Sequence, residues 1–411
     1  MENVSQLGTQ IREKTANPDI LLISRVFRPQ EAVIGEYVYS RCLQDPERVI
    51  VLAAGCIGDK NFDKMQQFPV YRWPNMGYLR SVIGSLCQPI YNIFWSLILA
   101  IKLYFRYRYR YIEWCHGYDF PALLLLSYIL PIHFFIYLHG NDLARVASNP
   151  IWRSLFKLTL KRAEGIICNS SHLRHYLRNN FRLDTPTHVI NPVIRPERFG
   201  TATSPSHLQE LRLQMRHKYN IPDSAIVILS VGRLVREKGF DRVIDNIPLL
   251  LNYGVDVHYI ICGQGDCAAQ LKSQAERLRV DQRVHFAGFV PEKELANYYA
   301  ACDIFAMLPF LDEKQKNLDN LGVVYLEAGY FSKPVIASCL GSVLDVVHHE
   351  ENGLLVNPDS GCDVFQAFKR LCQDAQLREK LGRQGKELAK RRTYHRWLYN
   401  PESRYSCLIS H

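Results

Sequence analysis

The chain has 411 residues, 47% hydrophobic and 22% charged, which excludes a disordered or fibrous protein and exceeds one ordinary core, so two domains are expected. A net charge of +10 implies an anionic partner, whether nucleotide, acidic membrane surface, polyanionic acceptor or nucleic acid, without choosing among them. The twelve cysteines occur singly, with no C-x-x-C and no Cys/His cluster at zinc spacing, which excludes a disulfide scaffold or zinc module and fits a reduced cytosolic setting.

In chain order, the segment Met1 to Asp19 is polar and lacks the charged-then-apolar layout of a signal peptide, so secretion is not expected. Short apolar runs then read as buried parallel strands at Ile20–Ser24 and Val49–Ala53. The apolar run Ile93–Ile101 is about half of the roughly 20 residues needed to cross a bilayer. Phe120–Leu138 is divided by Pro121, Pro131 and His133 into a helix and the strand Ile132–Leu138. Gly165–Cys168 and Thr187–Ile190 complete the first set. From Asn191 to Ser206 the pattern pauses at Pro192, Pro196, Gly200 and Pro205, which marks a domain boundary. It restarts with Ala225–Val231, Val257–Cys262, Arg283–Phe286, Ile304–Ala306, Pro334–Ala337 and Leu354–Val356. The alternation predicts an α/β protein with two doubly wound, Rossmann-like domains facing a central cleft. The expected division is a first domain over 1–194, a linker and lead-in over 195–222, a second domain over 223–390, and a segment 391–411 packing back on the first domain.

Chemistry concentrates in the second half. Leu229-Ser-Val-Gly-Arg-Leu-Val-Arg-Glu-Lys-Gly239 carries a strand into Gly232 and then into Arg233 and Lys238. A planar guanidinium and a mobile ammonium on one loop can grip a diphosphate and neutralise a leaving nucleotide. A solvated basic loop is the other reading of those charges. In Asp319-Asn-Leu-Gly-Val-Val-Tyr-Leu-Glu327, a helix beginning at Gly322 points its free N–H groups at a phosphate. Glu327 can then accept from ribose hydroxyls and Asp319 from hydroxyls of a transferred sugar. An acidic N-cap followed by a helix-surface Glu fits the same spacing. Gly263-Gln-Gly265 with Ala268 matches the dinucleotide fingerprint, but Phe286-Ala287-Gly288 stands where the next strand needs an acid, which disfavours a dinucleotide-dependent oxidoreductase.

Taken together, these segments resemble the retaining GT-B glycosyltransferases of family 4, with their G-R-L…K-G loop and E-x7-E motif. Further similarities lie at Asn191-Pro-Val193 with Phe199, Cys262-Gly-Gln-Gly265, Val284-His-Phe-Ala-Gly288 and Gly353-Leu-Leu-Val-Asn-Pro358. The wording Gly322-Val-Val-Tyr-Leu-Glu-Ala328 is most similar to mannosyltransferases acting on phosphatidylinositol. The resemblance implies transfer of a hexose of mannose or glucose type, with retention and without metal, from a GDP- or UDP-linked sugar to a lipid-linked or glycan acceptor. No Asp-x-Asp occurs, and no cofactor beyond the nucleotide sugar substrate is expected. By position, the resemblance gives Gly232, Arg233, Lys238 and Gly263 to the donor diphosphate, the amides of Leu321, Gly322 and Val323 to its phosphates, Glu327 to the ribose and Asp319 to the hexose. It makes His139, in Tyr137-Leu-His-Gly-Asn141, the residue near the sugar C6 hydroxyl. Catalysis would rest on His139, Arg233, Lys238 and Asp319.

The sequence departs from the family pattern in four places. Asp319 stands where Glu is usual, Ala32-Val33 and Gly341-Ser342 each replace a Gly-Gly, and the chain after about Thr393 is short of the family's long last helix. These departures keep open a catalytically impaired or non-catalytic nucleotide-sugar-binding member of the family. On the acceptor side, Tyr104-Phe-Arg-Tyr-Arg-Tyr-Arg-Tyr111 alternates aromatic residues with Arg. It suits an anionic bilayer surface, the end of a plain helix, or, least of the three, single-stranded nucleic acid. A cytoplasmic protein touching the inner face of the plasma membrane is the expectation.

Overall fold

The computed structural model describes residues 18–74, 82–140, 142–143, 146, 149–200, 204–310 and 322–392. Its described chain forms two compact units, one running to Asn169 and including Leu173–Ile190, the other made of Ser170–His172 and the chain from Asn191 onward.

The first unit contains β1 (Ile20–Ser24), α1 (Val33–Cys42), β2 (Val49–Ala54), α2 (Asp59–Lys64), β3 (Val70–Trp73), α3 (Val82–Tyr107) and β4 (Tyr111–Trp114). It continues with α4 (Phe120–Ile129), β5 (His133–Leu138), α5 (Pro150–Arg162), β6 (Gly165–Cys168), α6 (Ser171–Phe181, from Leu173 on) and β7 (Thr187–Val189). The seven strands pair in the order β3-β2-β1-β4-β5-β6-β7, every pair parallel. Strands β1, β2, β5 and β6 are apolar runs because helices cover both faces of the sheet. From β1 to β3 the chain steps across the sheet one way, and from β3 to β7 it steps the other. Right-handed crossovers therefore put α1 and α2 on one face and α3 to α6 on the opposite one. Consistent with this, α4 packs beside both α3 and α5, and the Phe156 ring of α5 meets Phe120 and Phe181 edge-on at 5.0 and 6.0 Å.

The second unit contains α7 (Pro205–Lys218), β8 (Ile226–Val231), α8 (Phe240–Asn252), β9 (Val257–Cys262), α9 (Ala268–Arg277), β10 (Val284–Gly288) and α10 (Glu292–Ala301). After these come β11 (Ile304–Met307), α11 (Val323–Tyr330), β12 (Val335–Ser338), β13 (Gly353–Val356), α12 (Gly361–Gln373) and α13 (Ala375–Arg391). Its parallel sheet runs β10-β9-β8-β11-β12-β13. Residues 195–222, expected as a linker and lead-in to the second domain, include α7, which is capped by Ser204 and tied to the sheet through Asp303. That carboxylate accepts from Arg212 and Arg216 of α7 and from the Val227 amide, each at 2.8 Å.

Two strands, β3 and β4, lie outside the predicted set. Strand β4 carries Glu113, which is fully buried because Arg41 donates to both of its oxygens at 2.7 and 3.1 Å and the Tyr137 hydroxyl donates at 2.9 Å. An internally paired carboxylate is admissible in a core but breaks the apolar signature of a strand. The Tyr104–Tyr111 stretch resolves into the end of α3 and the start of β4. Tyr109 is buried with its hydroxyl on the Ala100 carbonyl at 2.9 Å, and Tyr111 is buried in β4, whereas Arg106, Arg108 and Arg110 are exposed. No helix of the described residues is long and apolar enough to cross a membrane.

Candidate functional site

In the second unit, the carboxyl ends of β8, β9 and β11 feed three loops that bind one another through backbone. The Gly232 amide donates to the Cys262 carbonyl at 2.9 Å, Leu234 to Gln264 at 2.9 Å, Cys267 to Leu234 at 3.0 Å, and Phe310 to Glu237 at 3.1 Å. Gly263 has φ +147° and sits so close that a Cβ there would overlap the Gly232 carbonyl oxygen. Gly239, with φ +71°, lies in the same way against the Leu308 carbonyl. Only glycine admits this backbone approach. The loop therefore has a fixed course, and it presents Arg233 exposed and Lys238 half-buried at the rim where ligands bind in open α/β sheets.

Helix α11 begins directly after Gly322, with no side-chain cap on its first amides among the described residues. Its Tyr325 hydroxyl donates to the Met307 carbonyl at the end of β11, at 3.1 Å, which anchors the helix start to that strand end. Glu327, on the next turn, is 3% exposed. One of its oxygens accepts from Arg198 at 3.0 Å and the other from the Tyr299 hydroxyl at 2.7 Å. Arg198 also binds Glu292 at 3.0 Å. Burial, with Glu327 adding, pushes the Tyr299 phenol well above its ordinary range, so it stays a donor. Both Glu327 oxygens are thus engaged inside the unit, and any ribose contact has to use their remaining lone pairs.

In the first unit, the ends of β4 and β5 form a second polar cluster. His139 is 4% exposed, with Nε2 3.1 Å from the Cys115 carbonyl and its ring edge-on to Tyr37 at 5.4 Å. Its Nδ1, and both ring nitrogens of buried His116, have no hydrogen-bond partner among the described residues. Burial, and after it Arg25 and His139, hold the His116 imidazole well below its usual pKa, so it is neutral. Arg25 forks onto Asp119, whose carboxyl burial raises against the pull of that guanidinium. Asp142 fixes the loop: its carboxylate accepts from the amides of Gly117 (2.8 Å), Gly140 (2.9 Å), Leu143 (2.9 Å) and His139 (3.2 Å).

The structure brings Gly232, Arg233, Lys238 and Gly263 together on one rim, and starts a helix at Gly322 and Val323 beside it. Asp319, Leu321 and the segment 393–411 lie outside the described residues. Val33 begins α1 with its side chain exposed, and Gly341, at φ +53°, opens a short helical turn in which Ser342 is buried. Sequence reasoning missed Arg198, Tyr299, His116 and Asp142. Asp142 had a signal, an Asp just after His139-Gly140. Arg198 and Tyr299 had none, because their partner Glu327 is remote in sequence, and a lone His at the end of a strand does not announce its burial.

Two families match the chain: residues 212–388 match the one described as glycosyl transferases group 1, and residues 47–198 the one described as glycosyltransferase family 4. An uncharacterized glycosyltransferase of Methanocaldococcus jannaschii is 29% identical over 41% of this chain and 42% of its own length. The GDP-mannose-dependent alpha-(1-6)-phosphatidylinositol monomannoside mannosyltransferase of Mycobacterium tuberculosis is 26% identical over 61% of this chain and 63% of its own. The chain thus spans less than two thirds of these relatives. Among solved structures, Anabaena HepE in complex with UDP and glucose superposes with a TM-score of 0.69, at 20% identity, over 92% of this chain and 95% of that one, which shows the GT-B fold.

Proposed function

The chain belongs to the group 1/family 4 glycosyltransferases, and from that premise we propose that it transfers a hexose from a nucleotide diphosphate sugar to a lipid-linked or glycan acceptor hydroxyl. The observation that carries the proposal is the backbone-laced rim of the second unit, where the close approach of Gly232 and Gly263 fixes the course of the loop that presents Arg233 and Lys238. In this reading the two cations offset the charge that grows on the departing diphosphate, and the amides at the start of α11 add a fixed dipole. The bond between the anomeric carbon and the phosphate oxygen breaks as the acceptor oxygen bonds to that carbon on the same face, and the acceptor proton passes to the departing phosphate. Catalysis is then positioning and charge stabilisation, with no metal required. His139 is assigned to the hexose, supported by its place in the loop that Asp142 organises. Asp319 keeps its assignment to the hexose and Leu321 to the phosphates on the family resemblance.

The mannosyltransferase relative uses GDP-mannose and the HepE structure holds UDP and glucose, so both nucleotide classes are candidates. The test is a thermal-shift screen of UDP, GDP and their hexose conjugates, because a ligand at about 100 times its Kd stabilises by about 2.7 kcal/mol. Absence of a shift with every nucleotide sugar would overturn the proposal. Binding without turnover across a panel of lipid and glycan acceptors would select the non-catalytic alternative.

A further inference from the structure

The helices of the first unit are sorted by charge. On one face of its sheet, α1 and α2 mix both signs, with Glu36, Asp59 and Asp63 beside Arg41, Lys60 and Lys64; on the other, α3, α4 and α5 contain no Asp or Glu, and every formally charged side chain on them is Lys or Arg. The outer surface of that acid-free layer is also apolar. Along α3, Asn92, Ser96, Ala100 and Leu103 turn inward and are buried, while Ile90, Phe94, Ile98 and Phe105 point out, Ile90 being 69% and Phe105 64% exposed. Leu125, Tyr128 and Ile129 of α4 and Ile151, Trp152 and Leu158 of α5 continue the exposed apolar surface. Single exposed hydrophobics need no explanation, but several adjoining helices presenting them together mark an interaction surface.

The cations indicate what that surface meets. Lys102 and Arg106 are exposed along the same stretch of α3 as Phe105, and Arg108 lies 5.3 and 5.4 Å from the ring centroids of Phe105 and Tyr104. Arg106 lies over the rings of Tyr107 and Tyr71 at 5.3 and 5.8 Å, and none of the three forms a salt bridge with a described residue. From these observations we propose that the α3–α5 face docks on an anionic phospholipid surface, with Phe and Ile side chains entering the acyl boundary and Lys102, Arg106 and Arg108 on lipid phosphates. Nucleic acid is the weaker occupant, since Tyr109 and Tyr111, needed for a run of stacking rings, are buried. The inference goes beyond the transfer reaction and stands without it.

The experiment is co-sedimentation of the full chain with vesicles of phosphatidylcholine alone and of phosphatidylcholine mixed with phosphatidylglycerol, at low and physiological salt. Wild type is expected to sediment with the mixed vesicles, less so as salt rises, and to leave the neutral ones. Phe94→Glu combined with Phe105→Glu should weaken binding at least about tenfold. Leu213→Glu with Phe289→Glu, the same change of charge on exposed positions of the second unit, should not. Both double variants should unfold at the wild-type temperature and keep any nucleotide-induced shift, which separates this test from that of the transferase reading. Equal binding to neutral vesicles, undiminished binding by the Phe94/Phe105 variant, or a wild-type dimer that this variant dissociates would overturn the proposal.

Discussion

Arg198 and Glu327 form a buried ion pair at 3.0 Å that joins the turn Pro196–Phe199 to the middle of α11. The pair carries the helix whose first amides are assigned to phosphate, so its loss should be felt in both stability and binding. Removing Arg198 strands a buried carboxylate, and Arg198→Ala should cost about 3–5 kcal/mol in urea unfolding. Glu327→Gln should cost clearly less, because an amide can still accept from Arg198 and donate to Tyr299. The reverse order of stabilities would mean that Glu327 is not anchored from within the unit.

Gly263 combines φ +147° with backbone contact to Gly232. Gly263→Ala is therefore expected to cost about 3 kcal/mol and to abolish nucleotide-induced stabilisation. Gly254 also has positive φ, +86°, but open space around it, so Gly254→Ala should cost about 1 kcal/mol and leave nucleotide binding intact. Paired thermal melts with and without nucleotide distinguish the two.

Arg233 is exposed, and its removal should leave the melting temperature of the free protein unchanged. With donor present, Arg233→Ala and Lys238→Ala should each lose the nucleotide shift and lower turnover by about 10²–10³-fold. Arg233→Lys should recover part of the binding, since it keeps the charge and loses the fork. A variant that binds and turns over like wild type would remove that cation from the mechanism.

His258 stacks on His285, with Nδ1 2.9 Å from its Nε2, and its own Nε2 lies 2.7 Å from Arg283. Burial first, and then Arg283, lower the His258 pKa to about 4. The folded state therefore binds fewer protons than the unfolded one between the ordinary histidine value and about pH 4. Stability should fall as pH drops through that window and level off beneath it. Buried His116 acts in the same direction, whereas the raised Asp119 carboxyl opposes it at the acid end. His258→Gln isolates one contribution: the drop in urea midpoint from pH 7 to pH 5 should shrink, and an unchanged drop would refute the assignment.

Much of the architecture was legible because buried parallel strands are continuous apolar runs, and all the predicted ones appear within two residues of their observed ends. Strand β4 escaped because Glu113 sits in it, tolerated only through Arg41 and Tyr137, which are 72 and 24 residues away. Strand β3 escaped because it is short and holds Arg72, whose guanidinium binds Asp63 and the Ala54 carbonyl. In the site, glycine spacing announced the rim of the second unit, since close backbone approach leaves a mark in the sequence. The burial of Glu327 left none. Its Arg198 and Tyr299 partners come from separate elements, and a Glu eight residues after an acid looks the same whether it faces outward or inward.

The carboxylate of Asp303 has one further consequence. By holding two arginines of α7 and the Val227 amide of β8, it fastens the entry helix to the sheet that follows, so the second unit brings its own latch. A segment closed in this way counts its lead-in helix as part of its own fold rather than as a tether.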